Sequence, residues 1–365
     1  MTIETAQFVV QRAGDQFKCT GADLIDKLQA GDLMAVTRPG DGTYKWVRPV
    51  NYLTYEFTVN VDNKEFYIST QLGGEYNNYE SIVDWGDGNV ETIDTPDNKT
   101  HRYLANGIYN IKISVGEGTP YSLYGGSTNN QYKWVSIDNV DVNWNWGSSL
   151  LFSWQSCREL TSFPFINTSM VENFQQAWLG CRGLTSFPPI DTSIGENFLQ
   201  TWKGCSGLTS FPLLDTSSAK KFPQAWMQCT GLTSFPLLDS SNVRDFSNAW
   251  FFCQGLTSFP ALNYSSGTNF DTAWNGNYQL SDFPPNAFDS TGVLVSNAFN
   301  KSFTACALTI SSVENILVSL DTNGQSNIDL GINQGTNAGK STWAAAANTA
   351  YDNLIAKGWT ILYNP

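Results

Sequence analysis

The chain has 365 residues, of which 41% are hydrophobic, 14% aromatic and only 15% charged, and it carries a net charge of −13. Its apolar content excludes a disordered chain, and a surface this acidic repels phosphate backbones, so nucleic acid is not an expected partner. A single histidine, His101, leaves little for hydrolase or zinc chemistry, and no apolar run is long enough to cross a membrane.

The opening Met1-Thr2-Ile3-Glu4 has neither the basic nor the apolar region of an export signal. A viral structural protein needs none, whereas a secreted bacterial adhesin does. Residues 1–50 read as a small β-β-α-β-β module. Strands are expected over 7–12, 16–19, 32–36 and 43–47, with a helix over 21–28. The phrases Phe17-Lys18-Cys19-Thr20-Gly21-Ala22-Asp23-Leu24, Gly31-Asp32-Leu33-Met34-Ala35-Val36 and Tyr44-Lys45-Trp46 resemble a short module at the start of many cyanophage virion proteins. The resemblance implies docking to other virion proteins.

Residues 51–122 alternate with strand period in 55–61 and 109–115. Between these lie Val83-Asp84-Trp85-Gly86-Asp87-Gly88, then His101-Arg102-Tyr103 and Gly107-Ile108-Tyr109. This set resembles the PKD (polycystic kidney disease) domain, an immunoglobulin-like β-sandwich whose members serve as spacers and binding modules. Asp84 and Asp87 are expected to hydrogen-bond the tight glycine turn rather than hold calcium. In the PKD pattern His101 is a packing and hydrogen-bonding residue, not a base or a ligand.

Residues 123–303 are dominated by a repeat. Cysteines recur at 157, 181, 205, 229 and 253, tryptophans at 154, 178, 202, 226, 250 and 274, and Leu-Thr-Ser-Phe-Pro starts at 160, 184, 208, 232 and 256, all at a step of 24. Phe174, Trp178 and Cys181 stand at i, i+4 and i+7, the spacing of one face of a short helix, which Gly183 would end. Leu-Thr-Ser-Phe-Pro then reads as a very short strand, and Asp191, Asp215 and Asp239 read as turn and helix-cap residues. One unit cannot bury its rings alone; stacked units can. Trp178, Trp202, Trp226, Trp250 and Trp274, with Cys181, Cys205, Cys229 and Cys253, are therefore the expected structural ladder. The cysteines are expected to be buried free thiols, with Cys19 and Cys306 outside the ladder.

The unit Phe-x-x-Ala-Trp-x-x-Cys-x-Gly-Leu-Thr-Ser-Phe-Pro resembles BspA-like leucine-rich repeats of bacterial surface proteins, which also occur in tailed phages. The resemblance implies an α/β leucine-rich-repeat solenoid with a display or adhesion role. Residues 304–365 read as its C-terminal cap: a capping box at 311–314, a helix from Thr342 ended by Gly358, and a last strand over 359–362. The expected fold class is thus multidomain and β-rich.

These readings point to a non-enzymatic virion protein on the exposed surface of a phage particle, a tail-fibre or receptor-binding adhesin. The alternatives are a capsid decoration, neck or collar protein of the virion, and a bacterial cell-surface adhesin. A glycan depolymerase is disfavoured, because Asp191, Asp215 and Asp239 recur as a structural column does. Binding to a host-surface glycan or protein is expected at solenoid positions that vary, namely Gln175, Gln176, Arg182, Lys203, Gln224, Phe251 and Phe252. No catalytic residue, metal or cofactor is expected, and a homo-oligomer is compatible with the sequence.

Overall fold

The structure, a computed structural model, describes residues 7–12, 15–20, 33–37, 44–47, 52–61, 65–71, 81–93, 99–116, 122–124, 134–144 and 146–365. The chain is β-rich with few helices, and it divides into two compact units, Met1–Leu53 and Thr54–Pro365. In the first, β1 (Gln7–Arg12), β2 (Asp15–Thr20), β3 (Leu33–Thr37) and β4 (Tyr44–Val47) form an antiparallel sheet of order β2-β1-β3-β4. The helix expected over 21–28 lies outside the described residues.

The second unit begins with two sheets. β5 (Tyr52–Val61), β7 (Ser81–Asp84), β8 (Val90–Ile93), β10 (Gly107–Gly116) and β12 (Trp134–Val140) make one, in the order β12-β5-β10-β7-β8. β6 (Glu65–Gln71), β9 (Lys99–Arg102) and β11 (Ser122–Tyr124) make the other. The period-2 pattern of β5 sends Tyr55, Phe57, Val59 and Val61 inward, all 0% exposed. Phe57 meets Phe66 of the second sheet at 6.3 Å and stacks on Trp134 at 4.1 Å. β12 lies past residue 122, yet it pairs antiparallel with β5.

Beyond residue 148 the repeat units stack in parallel register. Bridges link Ser149, Asn173, Asn197, Lys221, Asp245 and Asn269 in sequence, each 24 residues from the last. The short helix expected over 173–181 is not formed. Phe174, Gln176, Trp178 and Gly180 donate their backbone N–H groups to Asn197, Leu199, Thr201 and Lys203 of the next unit, at 2.7–3.0 Å. The alternate N–H groups close tight turns: Ala177, Leu179 and Cys181 donate to Phe174, Gln176 and Trp178. A helix needs the Trp178 N–H for Phe174, and here it serves the neighbouring unit. Left-handed backbone at Gln176 (φ 56°) and Gly180 (φ 76°) breaks the helical path, and the same positions do so in later units. The inward residues 171, 174, 177, 181, 184, 187 and 190 step by three or four around the coil.

Gly183 and its equivalents therefore do not end a helix. A Cβ on Gly207 would meet the carbonyl oxygens of Arg182 and Leu184 at 2.5 and 2.7 Å, so glycine is required by the approach of the preceding unit. The Leu-Thr-Ser-Phe-Pro segments run a second hydrogen-bonded rail in the opposite sense. Thr185, Thr209 and Thr233 donate their N–H groups back to Thr161, Thr185 and Thr209.

Between these rails lies a continuous aromatic interior. Trp154, Trp178, Trp202, Trp226, Trp250 and Trp274 stack 5.4–5.9 Å apart, with interplanar angles of at most 12°. Phe163, Phe187, Phe211, Phe235 and Phe259 form a parallel column edge-on to them. Each ladder thiol from Cys181 to Cys253 donates to the carbonyl of the tryptophan 27 residues earlier, as in Cys205 Sγ to Trp178 O at 3.1 Å. Cys306 belongs to this ladder, contrary to its expected place outside it. It donates to Trp274 O at 3.2 Å, across 32 residues instead of 27, because the last unit contains an insertion. The same shift puts Phe303 on Trp274 at 4.9 Å and Phe299 on Phe270 at 4.8 Å.

The parallel stacking runs on into the last sixty residues. Phe299 bridges Leu330, and β13 (Asp329–Ile332) pairs in parallel with β14 (Thr360–Tyr363). Helices α1 (Ile310–Asn323) and α2 (Ala345–Ala356) pack on each other. The N-cap of α1 is Thr309, whose hydroxyl accepts from the Ser312 N–H, rather than a box at 311–314. Gly358 (φ 83°) follows α2 and turns the chain into β14, as its sequence position suggested.

Candidate functional site

The outward positions of the stack fall into columns, because each unit repeats the path of the last. The column Leu179, Lys203, Met227, Phe251 and Asn275 is half-buried and changes residue at every step. Beside it runs an amide ladder. Gln176 Nε2 donates to Gln200 Oε1, and Gln200 Nε2 donates to Gln224 Oε1 at 2.8 Å. Lys203 Nζ also reaches Gln224 Oε1, at 2.7 Å, and partial burial pulls its pKa down. Gln175 Oε1 accepts from Asn197 Nδ2 at 3.2 Å. Of the expected binding residues, Gln175, Gln176, Lys203 and Gln224 thus share one face and are already tied to neighbouring units. Arg182 stands apart from them, exposed beyond Cys181.

Phe251 and Phe252 continue this face. Their rings lie 4.5 Å apart, and Phe252 meets the half-exposed Tyr278 edge-on at 5.9 Å. Phe252 covers Gly276, where a Cβ would fall 2.7 Å from its ring. Phe252 therefore packs on the following unit, with the half-exposed Tyr278 beside it. Phe252 is left-handed (φ 59°) at a position held by glycine in three of the other units, at 180, 204 and 276.

The repeated aspartates are turn acceptors. Asp215 Oδ1 accepts from the Ser217 N–H at 3.0 Å and its hydroxyl at 2.7 Å, and these bonds hold the carboxyl below the ordinary carboxylate range. Asp191 and Asp239 make the same pairs with Ser193 and Ser241. They cap turns, not the helices expected from the sequence.

In the two-sheet region Asp84 Oδ1 accepts from the Gly86 N–H and Asp87 Oδ1 from the Asn89 N–H, both at 3.0 Å. The expected turn chemistry accounts for both carboxylates. His101 Nε2 sits 2.8 Å from Asp87 Oδ2, and its ring stacks on Trp85 at 4.7 Å. Burial works to raise the Asp87 pKa, but the bonds from His101 and Asn89 outweigh it and hold the carboxyl low. His101 is thus a packing and hydrogen-bonding residue, with the Tyr103 hydroxyl donating to Trp85 O alongside it.

Sequence reading passed over a second lateral column, Glu172, Glu196, Lys220, Arg244 and Thr268, which is exposed up to Arg244 and half-buried at Thr268. Its signal was the reversal of charge sign at a fixed step of 24. Comparison with protein-family models, with curated proteins and with solved structures finds no match to this chain.

Proposed function

We propose that the chain is a non-enzymatic display protein of a phage particle, of the tail-fibre or receptor-binding type. In this reading residues 1–50 dock to other virion proteins. The paired sheets of residues 54–140 are a PKD-like, immunoglobulin-like spacer, and the stacked units are a leucine-rich-repeat-type solenoid that faces a host-surface glycan or protein. The observation that carries the reading is the division between columns. Trp, Cys, Leu and Phe recur inside, while Leu179, Lys203, Met227, Phe251 and Asn275 differ outside. A scaffold that fixes its interior and varies its flank is suited to recognition.

The test is to complement a phage lacking this protein with a chain missing residues 1–50 and to probe purified virions by immunoblot. The display reading expects that chain to fold and to stay out of particles. Its incorporation would mean that the particle grips the repeats, and copies numbering in the hundreds would turn the reading to capsid decoration.

A further inference from the structure

The column with reversed charge lines a lateral cleft of about 600 Å³, formed by Glu196, Ser217, Ser218, Lys220, Asn242 and Arg244. Consecutive members of this column are direct neighbours. The Lys220 N–H donates to Glu196 O at 3.1 Å and the Arg244 N–H to Lys220 O at 3.0 Å, so their side chains leave adjacent rungs in register. Lys220 Nζ pairs with Glu196 Oε1. Arg244 is followed by Thr268, not by an acid. Two cations on adjacent rungs repel, and the arrangement is relieved by an anion between them. It occurs in a chain with 33 acidic and 20 basic residues, where chance favours the opposite sign.

The rest of the lining suits more than a bare anion. Asn242 is held by its Nδ2 bond to Ser217 O at 2.7 Å, which leaves its Oδ1 as an acceptor. Glu196 also accepts, and it would oppose a free phosphate while welcoming hydroxyl donors. Ser218 offers both a donor and an acceptor. From this juxtaposition we infer that the cleft binds a sugar ring bearing one anionic group, a carboxylate or a phosphate, with Lys220 and Arg244 on the charge and Glu196 and Asn242 on the hydroxyls. The inference refines the display reading by naming a ligand, and it rests on that reading.

Calorimetric titration of the full chain with D-glucuronate, glucose 6-phosphate, glucose and inorganic phosphate tests it. The expected result is that glucuronate or glucose 6-phosphate binds at least about tenfold more tightly than glucose or phosphate, and less tightly at about 0.5 M salt. Whichever of the two is tighter identifies the anionic group. Arg244→Gln and Lys220→Gln should each weaken binding by about tenfold or more, while Lys301→Gln, on an exposed site elsewhere, leaves it unchanged. Unchanged melting of the exposed-site variants guards against misfolding. Equal affinity for phosphate and glucose 6-phosphate, unaltered binding by Arg244→Gln, or no heat from any of the four would overturn the inference. Host-cell binding by purified protein that survives Arg244→Gln would leave the display reading standing while the cleft fails.

Discussion

The indole N–H of Trp154 donates to the phenolic oxygen of Tyr55 at 3.0 Å, and both side chains are 0% exposed. Tyr55 belongs to β5 of the paired sheets and Trp154 to the first rung of the tryptophan column. Trp146 bridges them, 5.8 Å from Tyr55 and 5.2 Å from Trp154. The open end of the stack is therefore closed by the sheets, and one aromatic core runs through both. Trp154 is also distinct within its column, since the indole N–H groups of Trp178, Trp202, Trp226, Trp250 and Trp274 are buried without a hydrogen-bond partner.

Removing the acceptor isolates that bond. Tyr55→Phe keeps the ring and strands the Trp154 N–H, and it should cost about 1–2 kcal/mol in denaturant unfolding. A variant as stable as the parent would show that the bond is not formed in solution.

Trp202 is 0% exposed, between Trp178 and Trp226. Trp202→Ala should lose about 3–5 kcal/mol, the range for a large ring deleted from a core that cannot collapse. Loss of less than about 1 kcal/mol, read from the same unfolding curves, would place this ring outside a packed core.

Gly207 tests the spacing between units. Gly207→Ala puts a methyl against two backbone carbonyls at 2.5 and 2.7 Å, neither of which can turn aside. It should destabilise by about 1–3 kcal/mol. A neutral outcome would mean that adjacent units stand further apart than described.

The thiols predict alkaline sensitivity. Burial raises the pKa values of Cys253 and Cys306 to about 12 from an ordinary 9.0, and raises Cys157, Cys205 and Cys229 as well. A raised acid keeps its proton in the folded state after the unfolded chain has lost it, so its contribution is complete below pH 9 and disappears as pH rises towards 12. Stability should be level around pH 7–8 and fall steeply above about pH 9. In native protein at pH 8 the thiols of Cys157, Cys181, Cys205, Cys229, Cys253 and Cys306, all buried, should resist a thiol reagent, and all should react after unfolding. Rapid native reaction of the ladder thiols would contradict their burial.

Much of the interior was legible because the repeat leaves it little freedom. Columns at a step of 24 must stack, and every residue placed in the Trp and Cys ladders is buried. The local path was misread for a physical reason. Phe174, Trp178 and Cys181 at i, i+4 and i+7 fit a helix, but the inward rhythm continues through Leu184, Phe187 and Ile190, past Gly183 and past Pro188 and Pro189, where no helix runs. Hydrogen bonding to the next unit, which no single unit encodes, decided the outcome. Cys306 was read as lying outside the ladder because an insertion moves it off the step of 24, and the Tyr55–Trp154 bond was not foreseen because its partners lie 99 residues apart. The cleft of Lys220 and Arg244 was visible only as a sign change, and stacking gives that change a place.

The central claim is that the paired sheets and the stacked units share one core, and native-state hydrogen exchange in Trp178→Ala tests it most directly. Trp178 is one rung beyond Trp154 and belongs wholly to the stack. A shared core predicts that the β10 amides paired with β7, at Ile113 and Val115, lose protection by the same factor as Leu184 within the stack. Full retention of protection at Ile113 and Val115, with loss confined to the repeat units, would contradict it.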